Sequence, residues 1–317
     1  GGTRQPSTQH PRRREFGTVQ IISQLREIGS IWSFSWKSLQ MSDSLGSISR
    51  TVKMGFLAAC GAKPPTAGRS APMRHPSEDT PAEDSSGAEE IGEGEGRGEF
   101  PLVSVIIPAL NAGAVLADCL RSVAASDYPR LEVIVVSDAS ADNTVEVAHR
   151  HSVRVLSNRR RSGAAHTRNA GASVASGEIF FFVDADVVLN PEAISLGVGC
   201  LASGEADAVF GSYIEETRVA QFAARFKNYQ HHFTHQAAPD DPVSFWSGCG
   251  AVTREAFTRL AGFDVSLQYC EDIEFGHALV EAGRRVRLLK HMRAEHLKRY
   301  AIPRLIRSDL LGRALPW

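Results

Sequence analysis

Ile179-Phe180-Phe181-Phe182-Val183-Asp184-Ala185-Asp186-Val187-Val188-Leu189 is an apolar run with two carboxylates set into it. Bulky and β-branched residues in so short a run, with Gly177 just before it and Asn190-Pro191 just after, read as a buried strand reaching a loop. An unpartnered buried carboxylate is costly, so two aspartates at the end of such a strand call for a reason. In extended chain alternate side chains leave on the same side. Asp184 and Asp186 would then both be able to bind one hard cation at the strand's end. The plain alternative for an isolated Asp-x-Asp is a polar strand terminus beside a turn.

Upstream of this run the texture repeats. Val103-Ser104-Val105-Ile106-Ile107-Pro108 is a first buried strand, stopped by the proline and by Asn111, and a helical stretch follows through Leu116, Leu120 and Val123. Leu131 to Val136 is a second strand ending in Ser137-Asp138-Ala139-Ser140, with a helix from Thr144 to His151. Val153, Val155 and Leu156 mark a third strand, Ala164 to Ser176 a helix, and 179 to 183 the fourth strand. Strands alternating with helices at this spacing predict an α/β domain: a mostly parallel, Rossmann-like sheet with helices on both faces. Ligands of such sheets sit beyond the carboxyl ends of the strands, which puts Pro108 to Asn111, Asp138, Asp184 and Asp186 on one rim.

The totals bound the alternatives. A chain of 317 residues with 43% apolar content can bury a sizeable core. Net charge of -1 argues neither for nor against nucleic acid, and no nucleic-acid partner is expected. Cys60, Cys119, Cys200, Cys249 and Cys270 are odd in number and contain no C-x-x-C pair, so neither a disulfide framework nor a zinc cage is indicated, and a reducing cytoplasm is the default. No run of about 18 uncharged apolar residues provides a spanning helix. Leu57-Ala58-Ala59-Cys60 resembles a lipoprotein cleavage box, but the apolar stretch before it is too short.

The chain begins at Gly1. Residues 19 to 36 show apolar spacing compatible with an isolated helix. From Gly61 to Glu99 the sequence is rich in Pro, Gly, Ser and Glu, with nine acidic residues between Glu78 and Glu99. Such a segment cannot bury enough apolar surface to offset its conformational entropy. Residues 1–99 are therefore expected to be a disordered N-terminal region with an acidic linker, and residues 100–317 the folded domain.

A dinucleotide-binding domain would carry G-x-G-x-x-G after its first strand, whereas here Pro108-Ala109-Leu110-Asn111-Ala112-Gly113 follows, with no Walker lysine loop either. The chain resembles family 2 glycosyltransferases of the GT-A fold over about residues 101 to 317. The features, in order, are SVIIPALN at 104–111, VVSDAS at 135–140, SGAAHTRNAG at 162–171, GEIFFFVDAD at 177–186, FWSGCGAVTREAF at 245–257, GFD at 262–264 and EDIEFG at 271–276. The resemblance implies that Pro108, Ala109, Asn111 and Asp138 hold the nucleoside of a nucleoside-diphosphate sugar donor. It implies that Asp184 and Asp186 bind the diphosphate through Mg²⁺ or Mn²⁺, and that Glu271 and Asp272 are the catalytic pair, Asp272 as base. Two departures stand out: many members have Glu after the asparagine where Ala112 stands, and paired aspartates where Ser137 precedes Asp138.

The chemistry fits those roles. Displacing a nucleoside diphosphate requires its charge to be neutralised, which a divalent ion does as a Lewis acid, and requires the acceptor hydroxyl to be deprotonated. One base delivering one in-line attack gives inversion, and no nucleophile for a covalent route stands out. The alternative for Glu271-Asp272 is favourable charge in a helix first turn, ahead of Ile273, Leu279 and Val280.

Other positions carry paired readings. Gly248 and Gly250, with Trp246 and Cys249, suggest a tight loop near the sugar with Trp246 as a stacking surface, or else a core tryptophan beside a turn. Arg168-Asn169 either face the donor or form a solvated helix turn. His296, after the strand Val286 to Leu289, is either an additional metal ligand implied by the resemblance or a surface histidine. His231, His232 and His235 lack the glutamate of H-E-x-x-H and read as a polar helix face.

Val219, Phe222, Ala223, Phe226, Tyr229 and Phe233 form an apolar stripe with Arg218, Arg225 and Lys227 alongside. From Arg284 to Trp317, ten Lys or Arg stand against two acidic residues. Both are compatible with an anionic membrane surface or with helices docked on the core. Many relatives continue into membrane spans past such a point, so an inner-face peripheral location with spans missing after Trp317 and a glycan or lipid-linked acceptor are expected. The expectation is thus an inverting, metal-assisted glycosyltransferase. The competing readings are a catalytically inactive nucleotide-sugar-binding module, against which Asp272 argues, and a nucleotidyltransferase, which would carry a Gly-rich basic loop where Ala109 to Ala114 stands.

Overall fold

The structure is a computed structural model and describes residues 100–300. The N-terminal linker, the helix expected over 19–36 and the stretch from Ile302 to Trp317 lie outside the described residues. Within them the elements run β1 (Val103–Ala109), α1 (Leu116–Ala124), β2 (Leu131–Ser137), α2 (Thr144–His149), β3 (Arg154–Ser157), α3 (Ala164–Val174), β4 (Ile179–Val183), β5 (Val187–Leu189), α4 (Ala193–Ala202), β6 (Ala208–Tyr213), α5 (Phe222–Ala237), β7 (Cys249–Thr253), α6 (Arg254–Arg259), α7 (Glu271–Glu281) and β8 (Val286–His296). The strands form one sheet in the order β3-β2-β1-β4-β7-β6-β8-β5.

The strand–helix alternation read from the sequence is the first half of this sheet. β1, β2, β3 and β4 pair in parallel, with Val103 opposite both Leu131 and Ile179. Beyond β4 the sheet becomes mixed. β7 runs antiparallel to both β4 and β6, β6 and β8 are parallel, and β5 is antiparallel to β8. The reversal at β7 brings the start of that strand, not its end, next to the carboxyl end of β4.

β4 lies between β1 and β7 and is buried on both faces, which is why it reads as a continuous apolar run. Period-two alternation divides its phenylalanines: Phe181 packs with Ile107, Leu116 and Ile194 on one face, while Phe180 and Phe182 pack with Phe257, Phe263 and Phe275 on the other. Helices α1 and α4 cover the first face, α3, α6 and α7 the second. Phe263 sits edge-on to Phe182 at 5.1 Å and 4.8 Å from the Phe275 ring, so the aromatic of the GFD segment anchors the chain just before α7. Gly262 before it has φ +77°, and a Cβ there would stand 2.6 Å from Asn169 Oδ1, so both backbone and space demand glycine.

Candidate active site

Asp184 and Asp186 do not continue the strand. They lie in a turn between β4 and β5 closed by the Val187 N–H donating to the Asp184 carbonyl at 2.9 Å. The turn breaks the period-two alternation, so the expectation that both carboxylates leave together is revised. Asp184 accepts from Arg168 Nη2 at 2.6 Å, whereas Asp186 Oδ1 stands 3.4 Å from His296 Nε2. His296 ends β8, whose neighbouring Leu297 N–H donates to the Asp186 carbonyl at 2.7 Å. Its ring stacks on Tyr213, with 5.0 Å between centroids and 11° between planes. Burial alone would raise Asp186, but the hydrogen bond and charge of His296, helped by Lys298, hold its carboxyl below the ordinary range.

Among the described residues no group of three or more His, Cys, Asp or Glu forms a ready-made metal cage. The donor set nevertheless fits a divalent ion completed by a substrate. Mg²⁺ and Mn²⁺ take carboxylate oxygens and tolerate imidazole, and such ions are commonly bound by one or two carboxylates plus substrate phosphates. Asp186 and His296 face each other across a separation suited to two ligands of one ion, and Asp184 keeps its second oxygen. Mn²⁺ or Mg²⁺ would therefore be held by Asp186 and His296, with Asp184 beside them.

Arg168 is not part of a solvated turn but is buried against the Asp184 side of the site. It is 4% exposed, its Nη1 donates to Glu271 at 2.7 Å, and its guanidinium lies 5.7 Å from the Phe263 ring centroid. Burial opposes its charge, but Asp184, Glu271 and Asp272 more than offset this and push its pKa up. Asn169 beside it grips the Phe263 backbone on both sides, Nδ2 donating to the carbonyl at 2.8 Å and Oδ1 accepting from the N–H at 3.0 Å.

Glu271 is correspondingly turned inward, 8% exposed, and burial lifts its carboxyl above the ordinary range against the pull of Arg168. Expected as one of the catalytic pair, it is here the ion-pair partner of Arg168. Asp272 is more open. Its Oδ2 accepts from the Ser247 amide at 3.3 Å and the Ser247 hydroxyl at 3.2 Å, and its Oδ1 takes the Ile273 N–H at 2.9 Å. The next residue of that loop, Gly248, accepts the Asp184 N–H at 3.3 Å. One loop therefore touches both acidic pairs.

The glycines of this loop are packing positions. Gly250 lies inside β7 opposite Phe182, where a Cβ would meet the Trp246 carbonyl at 2.5 Å, and at Gly248 it would meet the indole at 2.6 Å. Trp246 is half-buried, edge-on to Tyr213 at 4.5 Å and 5.3 Å from the His235 ring. The histidines of α5 are not a solvated polar face either: His232 Nδ1 lies 2.7 Å from the Tyr213 carbonyl, and His235 Nδ1 is shut off from solvent without a hydrogen-bond partner among the described residues. On the same helix Ala223, Ala224 and Lys227 are buried and Phe222 is 61% exposed, while Arg218, ahead of the helix, pairs with Glu295 at 2.8 Å. The residues lining the buried face are thus small and polar rather than the aromatic stripe.

At the other end of the rim, Asp138 is tied to the chain itself. Its Oδ1 accepts from Asn158 Nδ2 at 2.9 Å and the Ser162 N–H at 2.8 Å, and its Oδ2 from the Gly163 N–H at 3.0 Å. Burial raises Asp138, and these bonds overcome it and leave its carboxyl below the ordinary range. Ala109 is buried and its carbonyl takes the Asp138 N–H at 2.8 Å. Pro108 is half-buried in β1. Asn111, exposed with φ +50°, bonds across to the second loop through Ser140 Oγ at 3.0 Å and the Ala141 N–H at 2.8 Å. Asn158 and Tyr213 belong to this constellation and carry no sequence signal of their own, being ordinary residue types outside any motif read above, while Ser247 lies within the 245–257 stretch, where no role is read for it.

Residues 104–260 match the family described as Glycosyl transferase family 2. Among curated proteins, the chain is 34% identical over 117 residues to Glycosyltransferase GlyG of Streptococcus pneumoniae, covering 35% of this chain and 39% of that one. It is 29% identical over 115 residues to the Escherichia coli UDP-Glc:alpha-D-GlcNAc-diphosphoundecaprenol beta-1,3-glucosyltransferase WfgD, covering 35% and 46%. Among solved structures it resembles the mannosyltransferase PcManGT of Pyrobaculum calidifontis, in complex with GDP-Man and Mn²⁺, with a TM-score of 0.55, 25% identity, and coverage of 68% of this chain and 63% of that one. S. aureus TarS in complex with UDP-GlcNAc shares the fold, with a TM-score of 0.51 at 21% identity over 63% of this chain and 59% of that one. The chain spans less than two thirds of the length of each of these proteins.

Proposed function

Because the chain belongs to glycosyl transferase family 2, which residues 104–260 match, we propose that it moves a sugar from a nucleoside-diphosphate donor to an acceptor hydroxyl with inversion. One arrangement carries this reading: Asp272 and Asp184 are tied to consecutive residues of one loop, Ser247 and Gly248. A base and a donor-phosphate site on the same rim are what a single in-line displacement needs.

In this reading Asp272 accepts the proton of the acceptor hydroxyl, and Ser247 holds the receiving oxygen in place. Asp186 and His296 hold Mn²⁺ or Mg²⁺, which when bound supplies the positive charge that neutralises the departing diphosphate. The Mn²⁺ and GDP-Man reported with the Pyrobaculum mannosyltransferase support that choice of ion and donor class. The nucleoside lies over Pro108, Ala109 and Asn111 and against the loop that Asp138 secures. Trp246, Gly248 and Gly250 shape the acceptor side. The acceptor is a glycan or lipid-linked hydroxyl, the latter suggested by the diphosphoundecaprenol in the name of WfgD. With that acceptor the protein would work peripherally at an anionic membrane face from the cytoplasm. Among the described residues no helix is long and apolar enough to cross a membrane.

The test is the melting temperature of the full chain with UDP-, GDP- and dTDP-sugars, in Mn²⁺ and then in EDTA. Saturation at a hundred times Kd stabilises by about 2.7 kcal/mol, or roughly 5–10 °C for a domain of this size. Metal-dependent stabilisation by one nucleotide class is expected, with Asp272→Asn retaining the shift and losing turnover. Normal turnover by Asp272→Asn, or no shift with any donor, overturns the reading.

A further inference from the structure

We propose that Arg168 is the positioning residue that sets the donor side and the base side of this site relative to each other, an inference that rests on the transfer reading above. Its two terminal nitrogens reach two carboxylates far apart in the chain. Nη2 holds Asp184, in the turn after β4, at 2.6 Å, and Nη1 holds Glu271, first residue of α7, at 2.7 Å. The guanidinium is a rigid planar fork, so the separation and relative angle of the two carboxylates are fixed together; a lysine ammonium can serve one of them but lacks the fork.

The N-cap residue of α7, Cys270, has φ 60° and makes no side-chain capping bond, and the first turn is tied to the site by Glu271 on Arg168 and by Asp272 on Ser247. The helix that carries Arg168 is itself fixed to the approach of α7 by the Asn169 grip on Phe263. Arg168 thus acts on the donor through Asp184 and on the base through Glu271 and the adjoining Asp272.

Arg254 is the internal comparison. It donates to the Gly177 carbonyl from Nε and to the Ala175 carbonyl from Nη2, both at 2.7 Å, and lies 4.8 Å from the Phe180 ring, at the opposite end of β4. It bonds as intimately as Arg168 but touches no acidic residue of the site.

The experiment compares Arg168→Lys, Glu271→Gln and Arg254→Lys in the full chain, reading donor KM, kcat and the hydrogen exchange of two amides. Those amides are Val187, bonded to the Asp184 carbonyl, and Glu274, bonded to the Cys270 carbonyl in the first turn of α7. Arg168→Lys is expected to raise donor KM and lower kcat, each by about tenfold or more, and to speed exchange at both amides. Glu271→Gln is expected to lower kcat with donor KM within twofold and to speed exchange at Glu274 alone. Arg254→Lys is expected to lower the melting temperature and leave kcat and KM of the folded protein unchanged. Wild-type KM and kcat in folded Arg168→Lys, or the same losses in Arg254→Lys, overturn the proposal. Absence of wild-type turnover with every donor would count against the transfer reading instead. The exchange rates then decide the positioning role alone: unchanged rates at Val187 and Glu274 in Arg168→Lys refute it.

Discussion

Ser247 meets one oxygen of Asp272 twice, its hydroxyl at 3.2 Å and its amide at 3.3 Å, while the other oxygen takes the Ile273 N–H. Two donors on Oδ2 fix the rotation of the carboxylate and leave it unable to swing away from the rim. Removing only the hydroxyl keeps the amide bond and creates no orphaned group. A hydrogen bond of this kind contributes about 0.5–1.5 kcal/mol net. Ser247→Ala is therefore expected to lower kcat by roughly two- to tenfold with donor KM and melting temperature nearly unchanged, measured as steady-state donor turnover. A larger change in KM than in kcat would mean that the loop serves the donor instead.

The helix that carries Asp272 lies against the same loop at Gly276. A Cβ at this position would stand 2.2 Å from the Phe245 nitrogen and 2.4 Å from the Ser244 carbonyl carbon, both backbone atoms that cannot rotate aside. Alanine would have to push α7 off the segment bearing Ser247. Overpacking of this kind costs about 1–3 kcal/mol. Gly276→Ala should lower the melting temperature by several degrees and also reduce kcat per folded molecule, because the Ser247–Asp272 contact opens with it. A variant that melts early but turns over normally would separate α7 packing from catalysis.

How much of this was legible in the sequence differs by element. β1, β2 and β4 announce themselves because strands buried on both faces need apolar runs, and Val105 to Ile107, Val133 to Val136 and Phe180 to Val183 have them. The reversed strand β7 does not, because Cys-Gly-Ala-Val-Thr is short and made of small residues around a glycine packed on Phe245 and Trp246, even though Cys249, Ala251 and Val252 are fully buried. Asp184, Asp186 and Asp272 are visible as acidic residues at strand and helix ends. Where their carboxylates point is not, since the turn at 184–187 overrides strand alternation and Arg168 reaches Glu271 across 103 positions of sequence. Arg168 itself lies on a helix whose local pattern gives no sign of burial; its desolvation is offset by partners that only the tertiary fold supplies.

His235 makes acid stability readable. Burial, then the neighbouring His232, hold its pKa at about 4, against about 6.5 for a free histidine, and its Nδ1 has no partner among the described residues. Between these values the unfolded chain binds the proton and the folded one does not, so stability is full above about pH 6.5 and declines as pH falls. One proton of difference corresponds to about 1.4 kcal/mol per pH unit. Urea unfolding between pH 7 and 5 should show this slope, and His235→Phe, which keeps the aromatic contacts with Phe210 and Trp246, should flatten it. An equal slope in the variant would assign the titration elsewhere.

Asp138 shifts the same way in protonation balance but at lower pH. The bonds from Asn158, Ser162 and Gly163 outweigh burial and leave its folded pKa below the roughly 3.9 of an unfolded aspartate. Its contribution to stability is thus present above that unfolded value and is lost as pH falls through the lower folded one. Asparagine would keep one acceptor oxygen for Ser162 and Asn158 but turn an amide NH₂ toward the Gly163 N–H, donor against donor. About 1–3 kcal/mol then goes from the clamp on the loop between β3 and α3. Hydrogen exchange, corrected for intrinsic rates, should show Gly163 protection falling at least fivefold in Asp138→Asn at neutral pH, with Val105 and Phe181 in the sheet unaffected. In the wild type the same protection should persist through pH 5 and fail only in stronger acid; loss already at pH 5 would mean that Asp138 does not hold the loop.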